Sequence, residues 1–224
     1  MRKFLFILLF VPLCWVQAQV SYMPVVSSYY DTTSVAGGAA SFSDDFDSYT
    51  DAAALNSQGL WLTELNNIYV TKPSGDGAVY SNSSSQETAA YYNSVVDGNQ
   101  FSAGTYESAS SGIGIGPAVR CQGGTGTYYG WYSTTTQSYL TRQLSGVETI
   151  LATGTAWSAT DIVKLEIVGY ELKCYRGGVL DTSVSGDGKF TDTSGDKLDG
   201  GFVGICGWSN NVANRFDDWS GGDL

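Results

Sequence analysis

The side chains that could do chemistry in this 224-residue chain are carboxylates, aromatic rings, hydroxyls and thiols, because the sequence contains no histidine. That absence excludes Ser-His-Asp and Cys-His nucleophile systems, imidazole zinc sites and the usual general base near neutral pH. The chain carries 22 acidic and 11 basic residues, a formal net charge of −11. This sign is opposite to what binding of nucleic acid or of an anionic membrane requires, so neither partner is expected.

Aromatic residues are the candidates for recognition of a carbohydrate. A sugar packs its apolar C–H face on an aromatic ring, while nearby amides and carboxylates bond its hydroxyl groups. The chain has 6 Trp and 15 Tyr. We take Trp131, Trp157 and Trp208 as candidate ligand-binding residues, with Asn210 close to the last of them. Each of these rings could instead belong to the core.

Two further features of the middle of the chain bear on ligand binding. In the aromatic segment that starts at Tyr128, strand alternation puts Tyr129 and Trp131 on one face and Tyr128 and Tyr132 on the other. One of these two sets must be core. Arg120 is a charged residue within an apolar run. It is either a ligand contact or the partner of a buried Asp, and the structural ion pair is the favoured interpretation.

The first 18 residues have the features of a signal peptide for export. Arg2 and Lys3 precede an apolar run from Phe4 to Val16, and the small Ala18 supplies a cleavage site before Gln19. The apolar run is too short for a comfortable membrane span. We therefore expect a secreted, extracellular or cell-surface protein with no membrane span in its mature form. Cleavage would leave 9 basic and 22 acidic residues, a net charge of −13.

Three cysteines remain in the mature chain, namely Cys121, Cys174 and Cys206. They show no CxxC spacing and have no histidine nearby, so a zinc or redox site is poorly supported. Export makes a disulfide plausible, and Cys174 with Cys206 is the candidate pair. Because one cysteine must stay unpaired, the alternative is that all three are small buried hydrophobic residues on strands.

The chain after the signal peptide divides into an arm and one domain. Residues 19–41 are rich in Ser, Tyr, Val and Gly without a sustained period, and are predicted to form an N-terminal arm or linker. From residue 42 to 224, short β-type runs alternate with turn signals, and no segment shows convincing helical periodicity. The clearest strand is Asp161–Val168, where apolar and charged residues alternate. The pattern predicts an all-β fold, a two-sheet antiparallel jelly-roll sandwich.

The order of these strands carries a family resemblance. Phe42–Phe46 with Trp61 downstream, then Ala118–Cys121, Tyr139–Arg142 and a closing Arg215–Trp219 resemble the concanavalin A-like lectin/glucanase superfamily, and its laminin-G-like (LamG) branch most of all. The resemblance covers about residues 42–220. It implies a curved jelly roll that binds glycans or proteins, and some branches of the superfamily hydrolyse polysaccharides. It is a pattern of strands and turns, so it is more specific for fold than for function.

The hydrolase possibility can be tested against the glutamates. The glucanase branch carries its nucleophile and acid on one strand in a Glu-x-Asp-x-x-Glu motif, because alternate strand residues face the same cleft. None of the six glutamates has an Asp two residues later. We therefore expect no enzymatic activity, although a carboxylate pair assembled from distant loops stays open.

Two acidic doublets are candidates for a metal site. Asp44-Asp45 lies at the first predicted strand and Asp217-Asp218 at the last. The resemblance implies that these terminal strands lie close together and that a structural Ca²⁺ can sit there, held by hard oxygen ligands. Asp45 and Asp217 are the candidate ligands. The alternative is that these aspartates are solvated residues beside buried phenylalanines.

Together these observations predict a secreted, non-catalytic module that binds a neutral or cationic glycan, or that adheres to a cell-surface or extracellular protein. The alternative is a structural surface or virion-type assembly protein, in which the arm of residues 19–41 joins subunits into a homo-oligomer. A secreted polysaccharide hydrolase ranks third.

Overall fold

The computed structural model describes residues 40–83, 86–108, 114–208 and 212–224. The predicted signal peptide and nearly all of the predicted arm therefore lie outside the described residues, as does Asn210. Within the described residues the chain forms strands and two single turns of 3-10 helix, at Leu55–Ser57 and Pro73–Gly75. No helix among these residues is long and apolar enough to cross a membrane.

Short β-strands make up most of the described chain. In chain order they are β1 Ser41–Asp44, β2 Trp61–Leu65, β3 Ile68–Thr71, β4 Ala78–Ser81, β5 Glu87–Tyr92, β6 Gln100–Ser108, β7 Ile115–Cys121, β8 Tyr128–Ser133, β9 Gln137–Leu144, β10 Val147–Thr155, β11 Asp161–Val168, β12 Glu171–Arg176, β13 Val179–Leu180, β14 Lys189–Thr191, β15 Phe202–Trp208 and β16 Asn214–Asp223.

These strands build two antiparallel sheets, as predicted. The nine-stranded sheet has the order β13-β12-β11-β6-β16-β4-β3, with β1 beside β16 and β14 beside β12. The seven-stranded sheet has the order β10-β9-β8-β7-β15-β5-β2. Several neighbours in each sheet are distant in sequence, so the sandwich is held together by long-range pairing.

Side-chain alternation explains why the two sheets pack face to face. In β11, Val163, Leu165 and Ile167 are buried in the core, whereas Ile162 and Val168 on the other face are exposed. Removing such alternate apolar faces from water is the main favourable contribution to folding. The predicted strand Asp161–Val168 is confirmed, with one face inside and one outside.

An aromatic cluster joins the first and last strands at one end of the core. Asp44 of β1 pairs in register with Trp219 of β16, as expected for neighbouring terminal strands. The Trp219 ring meets Trp61 edge to face with ring centroids 4.7 Å apart, and Phe46 packs against Trp61 at 6.0 Å. All three large rings are fully buried. Truncating a buried ring of this size costs about 3–5 kcal/mol.

The structure corrects the predicted disulfide between Cys174 and Cys206. Both thiols are free and buried, as is Cys121. Cys174 lies on β12 of the nine-stranded sheet within the core between the sheets, whereas Cys206 lies on β15 of the seven-stranded sheet in a separate apolar cluster. The two side chains are therefore on different layers, and the alternative interpretation, that the cysteines act as small buried hydrophobic residues, is confirmed.

Candidate functional site

The seven-stranded sheet has a second apolar layer on the face turned away from the core. Tyr129 and Trp131 point into the core, while Tyr128 and Tyr132 belong to this second layer. Its other buried members are Ala89, Tyr91, Ala118, Cys121 and Cys206. The alternation predicted for this aromatic segment is thus confirmed, although both sets of rings are buried.

This second face is buried because the sheet curls around it. Leu65 on the edge strand β2 lies against the turn between β9 and β10, where a Cβ built on Gly146 would be 3.8 Å from Leu65 Cδ1. The backbone N–H of Gly126, in the β7–β8 connection, donates to the carbonyl of Glu64 at 3.1 Å. Strands at opposite sides of the sheet therefore approach each other, and we call this surface the concave face.

A cleft of about 370 Å³ opens at one end of the concave face. Strands β2, β5, β10 and β15, together with the β9–β10 turn and residues next to β2 and β5, contribute its wall. The lining residues are Leu65, Asn66, Gln86, Glu87, Gly146, Glu148 and Trp208. We call it the Glu87–Glu148 cleft after its two acidic residues.

Strand pairing positions the side chains of the cleft. Glu87, the first residue of β5, pairs with Trp208, the last residue of β15, so their side chains share a face. Glu148 on β10 pairs with Gln143 on β9, and Gln143 in turn pairs with Tyr128 on β8. This register places Glu148, Gln143 and Tyr128 in one row on the concave face.

The short turn between β9 and β10 fixes where Glu148 begins its strand. Ser145 and Gly146 both have positive φ, 51° and 78°, which is the two-residue turn that matches the twist of a β-hairpin. The N–H of Gly146 donates to the carbonyl of Gly126 at 2.8 Å, and the N–H of Ser145 donates to Thr127 Oγ1 at 3.0 Å. The turn is therefore held against the neighbouring loop.

The two carboxyl groups of the cleft lie within hydrogen-bonding reach of each other. Glu148 Oε1 accepts a hydrogen bond from the Tyr132 hydroxyl at 2.8 Å. Glu87 is only 6% exposed, and neither of its carboxyl oxygens accepts a hydrogen bond from an N–H or hydroxyl donor of a described residue. Burial, and then the neighbouring Glu148 charge, raise the pKa of Glu87 to about 9. Near neutral pH the pair therefore holds one shared proton.

Three more side chains, two amides and a tryptophan, complete this region. Gln143 is fully buried, and neither its amide oxygen nor its amide nitrogen has a hydrogen-bond partner among the described residues. Trp208 is half-buried at the margin of the cleft, where its ring remains partly accessible. Asn66 Nδ2 donates to the backbone carbonyl of Glu87 at 2.7 Å and holds the start of β5 in place. The cleft thus combines an accessible ring with unused hydrogen-bonding capacity.

Trp208 is the predicted ligand-binding residue that does lie in this cleft. The structure corrects the predictions for Trp131 and Trp157, because both are buried in the core and their rings meet edge to face at 4.7 Å. Side chains in that position cannot serve as a surface platform for a sugar. The sequence shows the number of aromatic residues but not which face of the sheet each one occupies.

The structure also corrects both interpretations of Arg120. Its side chain is 3% exposed and donates to backbone carbonyls of three loops, those of Gly98 at 2.7 Å, of Leu198 and of Gly169. It forms no ion pair with a described residue, and it is too buried to contact a surface ligand. Burial lowers its pKa. Arg120 therefore joins loops within the fold.

The candidate metal ligands are rearranged relative to the prediction. Asp217 meets Asp76 and Glu107, and one carboxylate oxygen from each lies within 4.8 Å of the others. Asp45 is not part of this group; it is exposed, and its Oδ1 accepts the N–H of Asp47 at 3.1 Å. Asp45 thus lies outside the acidic group that contains Asp217, and the bend after β1 engages its carboxylate in a local hydrogen bond.

The carboxylates of the acidic group at Asp217 differ in burial and in their charged partners. Asp217 is buried, and burial raises its pKa to about 7, with the charges of Asp218, Asp76 and Glu107 adding to the effect. Glu107 is already paired with Arg215, whose Nε lies 3.1 Å from Glu107 Oε2. Three carboxylates gathered this closely could hold a hard cation such as Ca²⁺, and the basic Arg215 next to Glu107 weakens that fit.

Sequence reasoning missed the residues that structure brings together in both places. Glu87 and Glu148 lie on β5 and β10, and Asp76 precedes β4 while Glu107 lies on β6. None of them has a local motif that marks it. The only signal was the possibility of a carboxylate pair assembled from distant parts of the chain, which the sequence left open.

No family model and no curated protein matches this sequence. Several solved structures match its fold. The carbohydrate-binding module CBM66 from Bacillus subtilis is 13% identical with a TM-score of 0.56, covering 73% of this chain and 96% of that chain. The apo form of the Crh5 transglycosylase is 8% identical with a TM-score of 0.51, covering 82% and 83%. The exoplasmic/lumenal domain of VIP36 in a Ca²⁺/Man2-bound form is 12% identical with a TM-score of 0.50, covering 82% and 87%.

At these identities the matches show the fold alone. The chain has the concanavalin A-like lectin/glucanase fold that its sequence resembles. Carbohydrate-binding modules, lectins and glycoside hydrolases share this fold. The matching structures do not single out the laminin-G-like branch.

Proposed function

We propose that this protein is a secreted, non-catalytic glycan-binding module whose ligand site is the Glu87–Glu148 cleft. The observation that carries the proposal is a cleft of about 370 Å³ that places the accessible Trp208 ring next to Glu87, a buried carboxyl group without an N–H or hydroxyl donor among the described residues. Ligand sites commonly combine apolar surface with a few convergent polar groups in this way. Export through residues 1–18, an adhesive role and membership of the laminin-G-like branch belong to the same proposal.

The chemistry of the cleft suits a sugar better than an apolar ligand. The Trp208 ring offers a flat surface for the C–H face of a pyranose, while Glu87, Glu148 and Asn66 offer hydrogen-bonding groups for hydroxyls. The fold neighbours support this choice, since one is named as a carbohydrate-binding module and another is described as a Ca²⁺/Man2-bound form.

The geometry of the acidic pair supports binding without cleavage. Glycosidases that invert or retain configuration hold their two carboxyl groups about 5–9.5 Å apart, to admit the sugar carbon or a water between them. Glu87 and Glu148 are instead within hydrogen-bonding reach of each other. A pair in such contact leaves no space for the reacting atom, and we assign both residues to ligand binding.

Trp208→Ala tests the site directly. A single shallow platform favours millimolar to micromolar dissociation constants, about −4 to −8 kcal/mol, so binding is measured on a glycan array and then by NMR titration. We expect the variant to lose most binding while it remains folded at the assay temperature, although removing a ring that packs on the second apolar layer lowers its melting temperature. Tyr69→Ala is the matched control, because Tyr69 is a half-buried aromatic residue on β3 of the other sheet. Equal affinity of the Trp208 variant and the wild type would refute the assignment of the cleft.

We further propose that Asp76, Glu107 and Asp217 hold a structural Ca²⁺. The support is their mutual distance of at most 4.8 Å and the burial of Asp217, which a bound cation would compensate. Calcium at about 100 times its dissociation constant should stabilise the fold by about 2.7 kcal/mol. The melting temperature of chelator-treated protein is measured during calcium titration at constant ionic strength. An unchanged melting curve would remove the site.

The assembly function is the second candidate, and the exposed edge strand β10 is the observation that favours it. Val147 is 67% exposed and Ile150 is 52% exposed on this edge, where a further strand could pair. In this alternative, residues 19–41 of one copy join another copy. Size-exclusion chromatography with and without these residues distinguishes the two functions. If the wild type retains no glycan and the deletion dissolves an oligomer, assembly is the better assignment.

A further inference from the structure

The Glu87–Glu148 cleft has two acidic side chains and no basic one among the described residues that line it. These comprise two glutamates, two amide side chains, an aromatic ring, a leucine and a glycine. None of the ion pairs between described residues includes Glu87 or Glu148. The described part of the protein therefore leaves the negative charge of the cleft uncompensated.

The carboxyl group of Glu87 also offers hydrogen-bond acceptor positions that no N–H or hydroxyl group of the described residues uses. Glu87 is more than nine-tenths buried, lines the cleft, and has no N–H or hydroxyl donor on either carboxyl oxygen within the described ranges. Its one partner there is Glu148, with which it shares a proton, so the remaining acceptor positions of Glu87 have lost hydration without gaining a donor. A group that brings donors into the cleft would satisfy Glu87 without moving the strands.

A ligand that satisfies both conditions must bring positive charge and several donors together. A primary ammonium group carries three N–H donors and one positive charge in a compact volume. A hydroxyl supplies one donor and no charge, and an N-acetyl group supplies one N–H with added bulk. Trp208 beside the acidic pair can also attract a cation through the face of its ring.

We propose that the cleft selects glycans that carry a free amino group, such as a 2-amino-2-deoxy sugar, over the same sugar in its N-acetylated form. The inference rests on the proposed glycan-binding function and names the ligand class of that same site. In the complex the ammonium group replaces the shared proton and, from the open side of the cleft, donates one N–H to Glu87 and another to Glu148, while the sugar ring packs on Trp208.

Binding of the ammonium group releases one proton. The free pair holds one shared proton and a charge of −1, whereas the complex has two carboxylates and one ammonium, again a charge of −1, with the proton passing to solvent. The raised pKa of Glu87 agrees with this exchange. The other titratable groups facing the pair are Tyr128, Tyr132 and Cys206, whose pKa values are all raised, so they stay neutral throughout. Affinity should therefore rise with pH until the sugar amine itself loses its proton.

The test compares two oligosaccharides of equal length, one of glucosamine and one of N-acetylglucosamine units, by isothermal titration calorimetry. The wild type should bind the free-amine oligomer at least about tenfold more tightly near neutral pH, a difference of about 1.4 kcal/mol. Titrations in buffers of different ionisation enthalpy measure the released proton directly, without any variant. Equal affinity for the two oligomers, or no proton release, overturns the inference.

Variants separate the cleft from the overall negative charge of the protein. Glu87→Gln and Glu148→Gln should each remove most of the preference for the free amine and leave binding of the N-acetylated oligomer in place. Glu171→Gln is the matched control, because it removes the same charge from a partly exposed residue on the other sheet. If the control reduces the preference as much as Glu87→Gln, the attraction is non-specific and the inference is overturned.

Failure of the inference and failure of the proposed function give different results. If the N-acetylated oligomer binds and the free amine gives no advantage, only the ligand class is wrong. If neither oligomer nor any other glycan binds, the glycan-binding function is wrong as well, and the inference falls with it. Accumulation of reducing ends during incubation would show hydrolysis and would overturn the non-catalytic assignment, and with it the proposed arrangement of the complex.

Discussion

Glu64 and Glu87 lie on the neighbouring strands β2 and β5, and both are almost fully buried, yet their surroundings differ. The carboxylate of Glu64 accepts N–H groups of Gly124 and Thr127, each at 2.9 Å. Glu87 has no comparable donors among the described residues. The difference shows that burial alone does not define the role of a carboxylate. Glu64 fastens a loop to the sheet, whereas Glu87 keeps capacity that a ligand can use.

Asp192 extends this comparison to proton affinity. Burial favours its neutral form, but hydrogen bonds from Ser194, Tyr129 and Arg142 outweigh burial and hold its pKa at about 2. Glu87 is similarly inaccessible to solvent, and its pKa is raised to about 9. The donors around a buried carboxyl group therefore decide whether it is a fixed anion or a neutral acid at physiological pH.

The largest loss of stability is expected from Arg142→Met. This substitution removes the cationic partner of Asp192, the buried carboxylate that is held by hydrogen-bond donors. Arg142 Nη1 lies 2.8 Å from Asp192 Oδ2, and both side chains are buried. Breaking such a pair by removing one partner costs about 3–5 kcal/mol. Urea unfolding near neutral pH measures the loss. Since the folded pKa of Asp192 is depressed to about 2, the stabilisation is present above the unfolded pKa of about 4 and is lost as pH falls toward 2, so the cost should shrink there. A cost that is independent of pH would contradict this account.

Glu64→Ala should have the next largest effect, because it leaves the backbone N–H groups of Gly124 and Thr127 without their acceptor. Both hydrogen bonds are partly buried and end on a charged acceptor, and such bonds contribute about 1.5–3 kcal/mol. Amide hydrogen exchange of these two groups should accelerate together with the loss of stability. Glu171→Ala, a partly exposed residue, provides the control and should change stability little. Unchanged exchange at both amides would show that Glu64 does not hold the loop.

Glu87→Gln should change the free energy of unfolding in the opposite direction, so that the variant is more stable than the wild type at alkaline pH. The folded pKa of Glu87 is raised to about 9, so the native state retains a proton that the unfolded chain releases, and wild-type stability falls as pH rises from the unfolded pKa toward 9. The slope is at most about 1.4 kcal/mol per pH unit for one proton. The neutral variant should remove this decline, so its advantage over the wild type should grow with pH, by as much as about 1 kcal/mol for each pH unit between the unfolded pKa and about 9. Parallel pH profiles of the two proteins would refute a shared proton.

The smallest effect is expected in the acidic group of Asp76, Glu107 and Asp217, where Asp217 has a pKa of about 7. In the absence of calcium, native Asp217 retains its proton up to about pH 7, so wild-type stability declines as pH rises from the unfolded pKa to about 7. Asp217→Asn should therefore gain less than about 1 kcal/mol in mildly alkaline solution, since solvent screens this site in part. With calcium present the sign should reverse, because the variant loses a ligand. The same sign in both conditions would argue against a cation site.

The sequence predicted the fold class and several of the individual strands, because apolar alternation encodes both. The strand Asp161–Val168, the two faces of the segment that begins at Tyr128, and the adjacency of the first and last strands are all observed. Each of these depends on local periodicity or on the strand order of a known superfamily. Local periodicity and strand order both remain recognisable after large changes in sequence, because they depend only on which positions are polar and which are apolar.

The candidate site was predictable only in part, since it depends on how strongly the seven-stranded sheet curls. Trp208 was identified by its residue type, a ring that can carry a sugar, and Trp131 and Trp157 carry the same signal although they are core. Glu87 and Glu148 meet across a sheet in which their strands are not neighbours. No local pattern specifies that curvature, so their proximity could not be read from spacing.

Strand β16, the last of the described strands in chain order, lies inside the nine-stranded sheet, with β6 on one side and β4 and β1 on the other. Until its ten residues are available, the sheet consists of separate parts whose open edges can pair with other chains. A chain made from its amino end must therefore complete synthesis of this strand before the sheet can close. Folding of the domain should therefore be slow, because strand pairing is dominated by segments that are distant in sequence. A chain that lacks β16 should not form the closed nine-stranded sheet.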